Sequence, residues 1–160
     1  MSKPWKRCKA LIKLVSQVNA AWPSRDTNSD GSIGDADHAS RSSDHNPWVI
    51  DPADNVGVVT AQDIDEDLNA TTHSLKSLID AICASRDERV KYIIYEDMIT
   101  EKGSDLQRWV AYHGKNPHRH HAHISIKAEK KYWNDDAAWS IGSAAIPAGE
   151  NLGSLTEGDD

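Results

Sequence analysis

The sequence predicts an α+β domain in which a small, mostly antiparallel sheet is flanked by helices. Three observations carry that expectation. Two segments place apolar residues at three-four spacing, several short runs are β-branched or strictly alternating, and helices and strands follow one another in an order that suits a small antiparallel sheet.

The first element is an amphipathic helix from about Pro4 to Asn19, with Trp5, Cys8, Leu11, Ile12, Val15 and Val18 at helical spacing, and Pro23 ends it. From Ser24 to Asp54 the chain is rich in Ser, Asp, Asn and Gly and reads as a long loop. A loop of that length inside a compact domain tends to be functional. Val56 to Ile64 is expected to be one strand. A second helix fits Thr72 to Ser85, with Leu75, Leu78, Ile79 and Ile82 on one face. Val90 to Tyr95 reads as a strand, Met98 to Thr100 as its partner across a tight turn, and the alternating HAHISIK from His121 to Lys127 as a long strand. Residues 134–160 hold acidic side chains, no basic ones, and scattered Gly, Ala and Ser. The domain is therefore expected to span 1–133 and to be followed by an acidic, disordered tail over 134–160, with Trp139 and Ile141 available to dock locally.

Composition narrows the function. The net charge of -7 lacks the basic footprint that a general nucleic-acid binder uses to displace counterions, so no nucleic-acid partner is expected. No apolar run has the length to span a bilayer, and no membrane partner is expected. Basic residues Lys3, Lys6, Arg7 and Lys9 precede a short apolar stretch, but Lys13 interrupts it, so synthesis in the cytoplasm without a signal peptide is expected. Cys8 and Cys83 sit on apolar-periodic segments and read as small buried hydrophobes; no CxxC pair exists to ligate zinc.

Histidine carries the chemical signal. Five of the eight histidines fall between His113 and His123. On a strand, His121 and His123 face one side while Ala122 and Ile124 face the other, which suits a histidine face on a cleft and an apolar face on a core. A catalytic zinc takes three ligands from His, Asp or Glu and leaves a fourth position for water. His45, in the polar loop SDHNP, and Asp63, in TAQDID at the end of the apolar run Val56 to Val59, are further candidates. A carboxylate at the end of an apolar strand is expensive unless it is paired or metal-bound. Asp51, Asp54 and Asp65 compete with Asp63 for that role.

The order SxH, AxD, HxH resembles the metallopeptidase superfamily that includes D-alanyl-D-alanine carboxypeptidases, murein endopeptidases and hedgehog signalling domains. Segments such as DGSIGDADHA, SDHNP, VVTAQDI and NPHRHHAHIS are also similar to small phage and actinobacterial proteins. The match runs from about Trp22 to Ser125. It implies a hedgehog/DD-peptidase-like fold, one catalytic zinc ion on His45, Asp63 and His123, and proton handling or transition-state stabilisation by His121 and His118. It further implies a peptidase acting on peptidoglycan peptides of the bacterial cell wall, endolysin-like or carboxypeptidase-like, in a phage-encoded setting. Arg25 or Arg41 would hold a peptide carboxylate. Two features depart from the family pattern. His45 and Asp63 lie further apart in sequence than is usual, and His120 stands where the carboxypeptidase branch has an acidic base.

Other readings attach to the same residues. Asp26, Asn28, Asp30, Ser32 and Asp37 have the spacing of a calcium loop, so a structural Ca2+ is a further expectation, although Asp replaces Glu at the last position. HAH also fits a His-hydrophobic-His nuclease, for which Tyr95 and Tyr112 are available, and HxS fits a phosphodiesterase if His38 supplies the second motif. Hedgehog-like members keep zinc yet serve as binding modules, which leaves a non-catalytic zinc-containing binding or phage structural module as the non-enzymatic alternative.

Overall fold

A computed structural model describes residues 4–32, 43–114 and 120–142. The chain forms an α+β domain with two sheets and, among the described residues, three helices. Strands β1 (Trp5–Arg7), β2 (Val49–Ile50) and β3 (Gly57–Val59) make a three-stranded sheet in the order β1-β3-β2. Strands β4 (Ala61–Asp65), β5 (Val90–Tyr95), β6 (Met98–Thr100), β7 (Trp109–Ala111) and β8 (His121–Ile126) make a five-stranded sheet in the order β4-β8-β5-β6-β7. Every pairing in the larger sheet is antiparallel.

The strand expected over Val56 to Ile64 is divided between the two sheets. Thr60 is the single residue between β3 and β4; its amide donates to Asp44 O at 3.2 Å, and its carbonyl accepts from Ile126 N at 2.8 Å. Those two bonds point to different neighbours, so the chain leaves one sheet and enters the other there. Continuous β-propensity cannot register such a change of partner.

The first helix also starts later than its periodicity suggests. Trp5–Arg7 pairs in parallel with β3, and Cys8 N donates to Val59 O, so helix α1 runs over Lys9–Ala21. Its buried stripe is Ala10, Leu11, Leu14 and Val18, while Trp5 and Ile12 remain exposed. Helix α2 (Leu75–Ser85) opens with a capping box in which Ser74 and Ser77 satisfy each other's backbone amides, and Arg86 closes it in the left-handed region. Leu75, Leu78, Ile79 and Ile82 are buried, as their spacing predicts. The β5-β6 hairpin turns through Glu96 and Asp97, both at positive φ, and pairs Tyr95 with Met98. Helix α3 is a single turn, Lys130–Trp133.

One core lies between the helices and the sheets. Leu11, Leu14, Ile64, Ile79, Ile93 and Ile124 are among its fully buried members. Trp139 and Ile141 join it, and Trp139 donates its indole N–H to Ala10 O at 2.9 Å beneath the Arg89 guanidinium. The remainder of the expected acidic tail, 143–160, lies outside the described residues. Cys8 and Cys83 are buried free thiols, each pushed up to about 11 by desolvation. No helix among the described residues is long and apolar enough to cross a membrane.

Candidate metal centre

β8 lies between β4 and β5, with Ala122, Ile124 and Ile126 buried in the core. Strand alternation then turns His121, His123 and Ser125 to the opposite face. The β4-β8 register sets Asp63 directly across from His123 and Asp65 across from His121. The outer edge of β4 is met by Gly31, which exchanges both backbone hydrogen bonds with Asp63.

The third side chain arrives from the loop before β2. Asp44 anchors that loop: its carbonyl accepts from Thr60 N, and its buried carboxylate accepts from Trp48 Nε1 at 3.1 Å and Lys91 Nζ at 3.0 Å. The neighbouring His45 is thereby turned into the face of the sheet. Its Nδ1 lies 2.8 Å from Ser32 O. A carbonyl only accepts, so Nδ1 carries the proton and Nε2 of the neutral ring directs its lone pair inward.

Three ligand-type atoms meet as a result. His45 Nε2 is 3.1 Å from His123 Nδ1 and 3.2 Å from Asp63 Oδ1, and His123 Nδ1 is 3.3 Å from the same oxygen. Ligands arranged tetrahedrally at about 2.0–2.1 Å from zinc lie about 3.3–3.4 Å apart. The triangle therefore matches one face of a zinc tetrahedron with only small adjustment. Two imidazoles and a carboxylate are also a donor set that suits zinc. Among the described residues, His45, Asp63 and His123 are the group able to hold a metal ion.

Burial and mutual contacts act on the three groups in different directions. Burial opposes ionisation of Asp63, but the contacts with His123 and His45 outweigh it and hold the carboxyl well below the usual range. Burial likewise opposes the charged form of His45, yet the Asp63 carboxylate prevails and raises it. Desolvation wins at His123 and lowers it. His45 and His123 are each 4% exposed, whereas the Asp63 and His121 side chains retain 18% and 16%, although His121 Nε2 itself is buried.

The other expected site residues are distributed as follows. His121 Nε2 sits 3.6 Å from Asp63 Oδ2, beside the triangle rather than in it. Arg25 is buried; its guanidinium grips both oxygens of Asp30 and also donates to Asn19 Oδ1. That pairing places a cation on the Asp30 carboxylate, while Asp26 Oδ1 accepts from Asn28 N at 2.8 Å. His118, Arg41 and Asp37 lie outside the described residues. Of the competing acids, Asp51 is clamped by Lys6 and Lys130, Asp54 by Lys6, and Asp65 accepts from the amides of Ser29 and Asp67. His120 is exposed with Nδ1 3.5 Å from Glu66 Oε1.

Sequence reasoning did not single out Ser125, Tyr92 or Asp44 as parts of this centre. Ser125 Oγ is 2.8 Å from His123 Nε2, and the Tyr92 ring stacks on His123 with centroids 5.5 Å apart. The period-two step from His121 and His123 carries on to Ser125, so that residue was legible; Tyr92 depends on strand pairing. Tyr92 also lines a cavity of about 700 Å3 floored by Val90, Ile99, Leu106 and Val110. The chain matched no protein-family model, no curated protein and no solved structure.

Proposed function

We propose that the chain is a zinc-dependent peptidase that hydrolyses peptide bonds in bacterial peptidoglycan, with a hedgehog/DD-peptidase-like fold. The observation that carries this reading is the convergence of His45 Nε2, Asp63 Oδ1 and His123 Nδ1 within 3.1–3.3 Å of one another. The peptidoglycan substrate rests on the motif resemblance.

His45, Asp63 and His123 would hold the ion. When bound, zinc supplies Lewis acidity and an activated water near neutral pH. His121 stands beside the triangle, where its imidazole would take a proton during attack and return it to the leaving amine. His118 and Arg41 complete the proposal as transition-state and carboxylate partners. Zymography on purified peptidoglycan, with and without chelator, tests it. Clearing that chelator removes and zinc restores is expected; clearing that persists in chelator overturns the reading.

A second reading, a zinc-containing binding module, is favoured by the exposed His120 beside Glu66. It expects metal uptake and retention on peptidoglycan without release of soluble peptide.

A further inference from the structure

We infer that Ser125, backed by Tyr92, is a positioning residue for the metal centre: its hydroxyl holds the His123 ring with Nδ1 turned to His45 and Asp63. The inference rests on the metal reading above.

Ser125 is fully buried on β8, two residues beyond His123 on the same face. Across β4 it faces Ala61, which is buried and brings no polar atom beyond its backbone. Across β5 it faces Tyr92. Its Oγ lies 2.8 Å from His123 Nε2. A hydroxyl has one proton to give. It also has two lone pairs, so Oγ accepts from His123 Nε2–H when Nδ1 is left to the centre. A neutral imidazole protonated at Nε2 then carries its lone pair on Nδ1, the atom that meets Asp63 and His45. The Tyr92 ring, only 14° from parallel with the imidazole, fixes the plane in which that lone pair lies.

His45 has the mirror-image arrangement. Ser32 O takes the Nδ1 proton and leaves Nε2 for the centre. Each histidine thus has its outer nitrogen tied to an oxygen, the arrangement by which proteins set the tautomer of a ligating histidine. Losing such an outer partner weakens metal binding by about 10- to 100-fold.

The test is zinc titration against a chromophoric chelator on the full chain, for wild type, Ser125→Ala and Ser125→Thr, with the melting temperature of each metal-free protein. Ser125→Ala is expected to raise the zinc Kd by about 10- to 100-fold, and Ser125→Thr, which keeps the hydroxyl, to recover most of it. Equal affinity in wild type and Ser125→Ala overturns this inference and leaves the metal reading standing. A wild type that takes up no zinc overturns both. Nitrogen-15 NMR of the zinc-loaded wild type decides the matter even if the alanine variant does not fold. A protonated, slowly exchanging Nε2 on His123 is expected, and an Nε2 without a proton overturns the inference.

Discussion

His123 stands directly opposite Asp63 in the β4-β8 register, with Nδ1 3.3 Å from the carboxylate oxygen Oδ1. Neighbouring strands therefore supply two of the three ligand-type atoms, and only His45 depends on a loop. Proteins place precise sites on paired strands because these hold side chains more tightly than loops do.

Removing either strand ligand is expected to empty the centre. Asp63→Asn and His123→Ala should each reduce bound zinc from one per chain to none detectable by metal analysis, and abolish peptidoglycan clearing. A variant that kept full activity would remove the proposed chemistry.

The pH response should differ in sign between the metal-free and zinc-loaded forms. The folded value of His45 is raised, with burial outweighed by Asp63. In the metal-free protein its contribution is fully present below the unfolded value of about 6.5 and is lost as pH rises through the folded value. His123, lowered by burial, opposes this only below about 6.5. From that point upward the metal-free melting temperature should fall on account of His45. Zinc must displace the same proton, so its affinity should climb by about tenfold per pH unit until His45 has titrated. Matching slopes would show that proton and metal do not share this lone pair.

Arg25→Ala is expected to act on stability. It leaves the Asp30 carboxylate without its guanidinium partner, and breaking a buried pair on one side costs about 3–5 kcal/mol. Urea denaturation measures that loss. An unchanged midpoint together with a raised KM would return Arg25 to the role of a substrate-carboxylate clamp.

Trp139→Ala should destabilise the fold by about 3–5 kcal/mol in the same assay, through lost burial and a cavity against α1. A loss under about 1 kcal/mol would mean that this segment is only loosely docked.

Helix α2 and the β5-β6 hairpin were legible because their signals are local: a three-four apolar stripe behind a capping serine, and a β-branched run ahead of a two-residue turn. β1, β2 and β7 were not, since strands of two or three residues are defined by their partners rather than their composition. Thr60 shows the same limit, because its two hydrogen bonds to different neighbours decide where one sheet ends and the next begins.

By itself the sequence determined that His121 and His123 share a face, that Ala122 and Ile124 fill the core behind them, and that His45 and Asp63 were eligible ligands. Alternation and residue chemistry are properties of the chain and need no partner. Which acid meets the histidines, which nitrogen of each ring points inward, and that Ser125 and Tyr92 stand behind His123 were decided only by tertiary structure. Those facts follow from strand register, from the Gly31 bridge to β4 and from the Asp44 anchor, all contacts between residues distant in sequence.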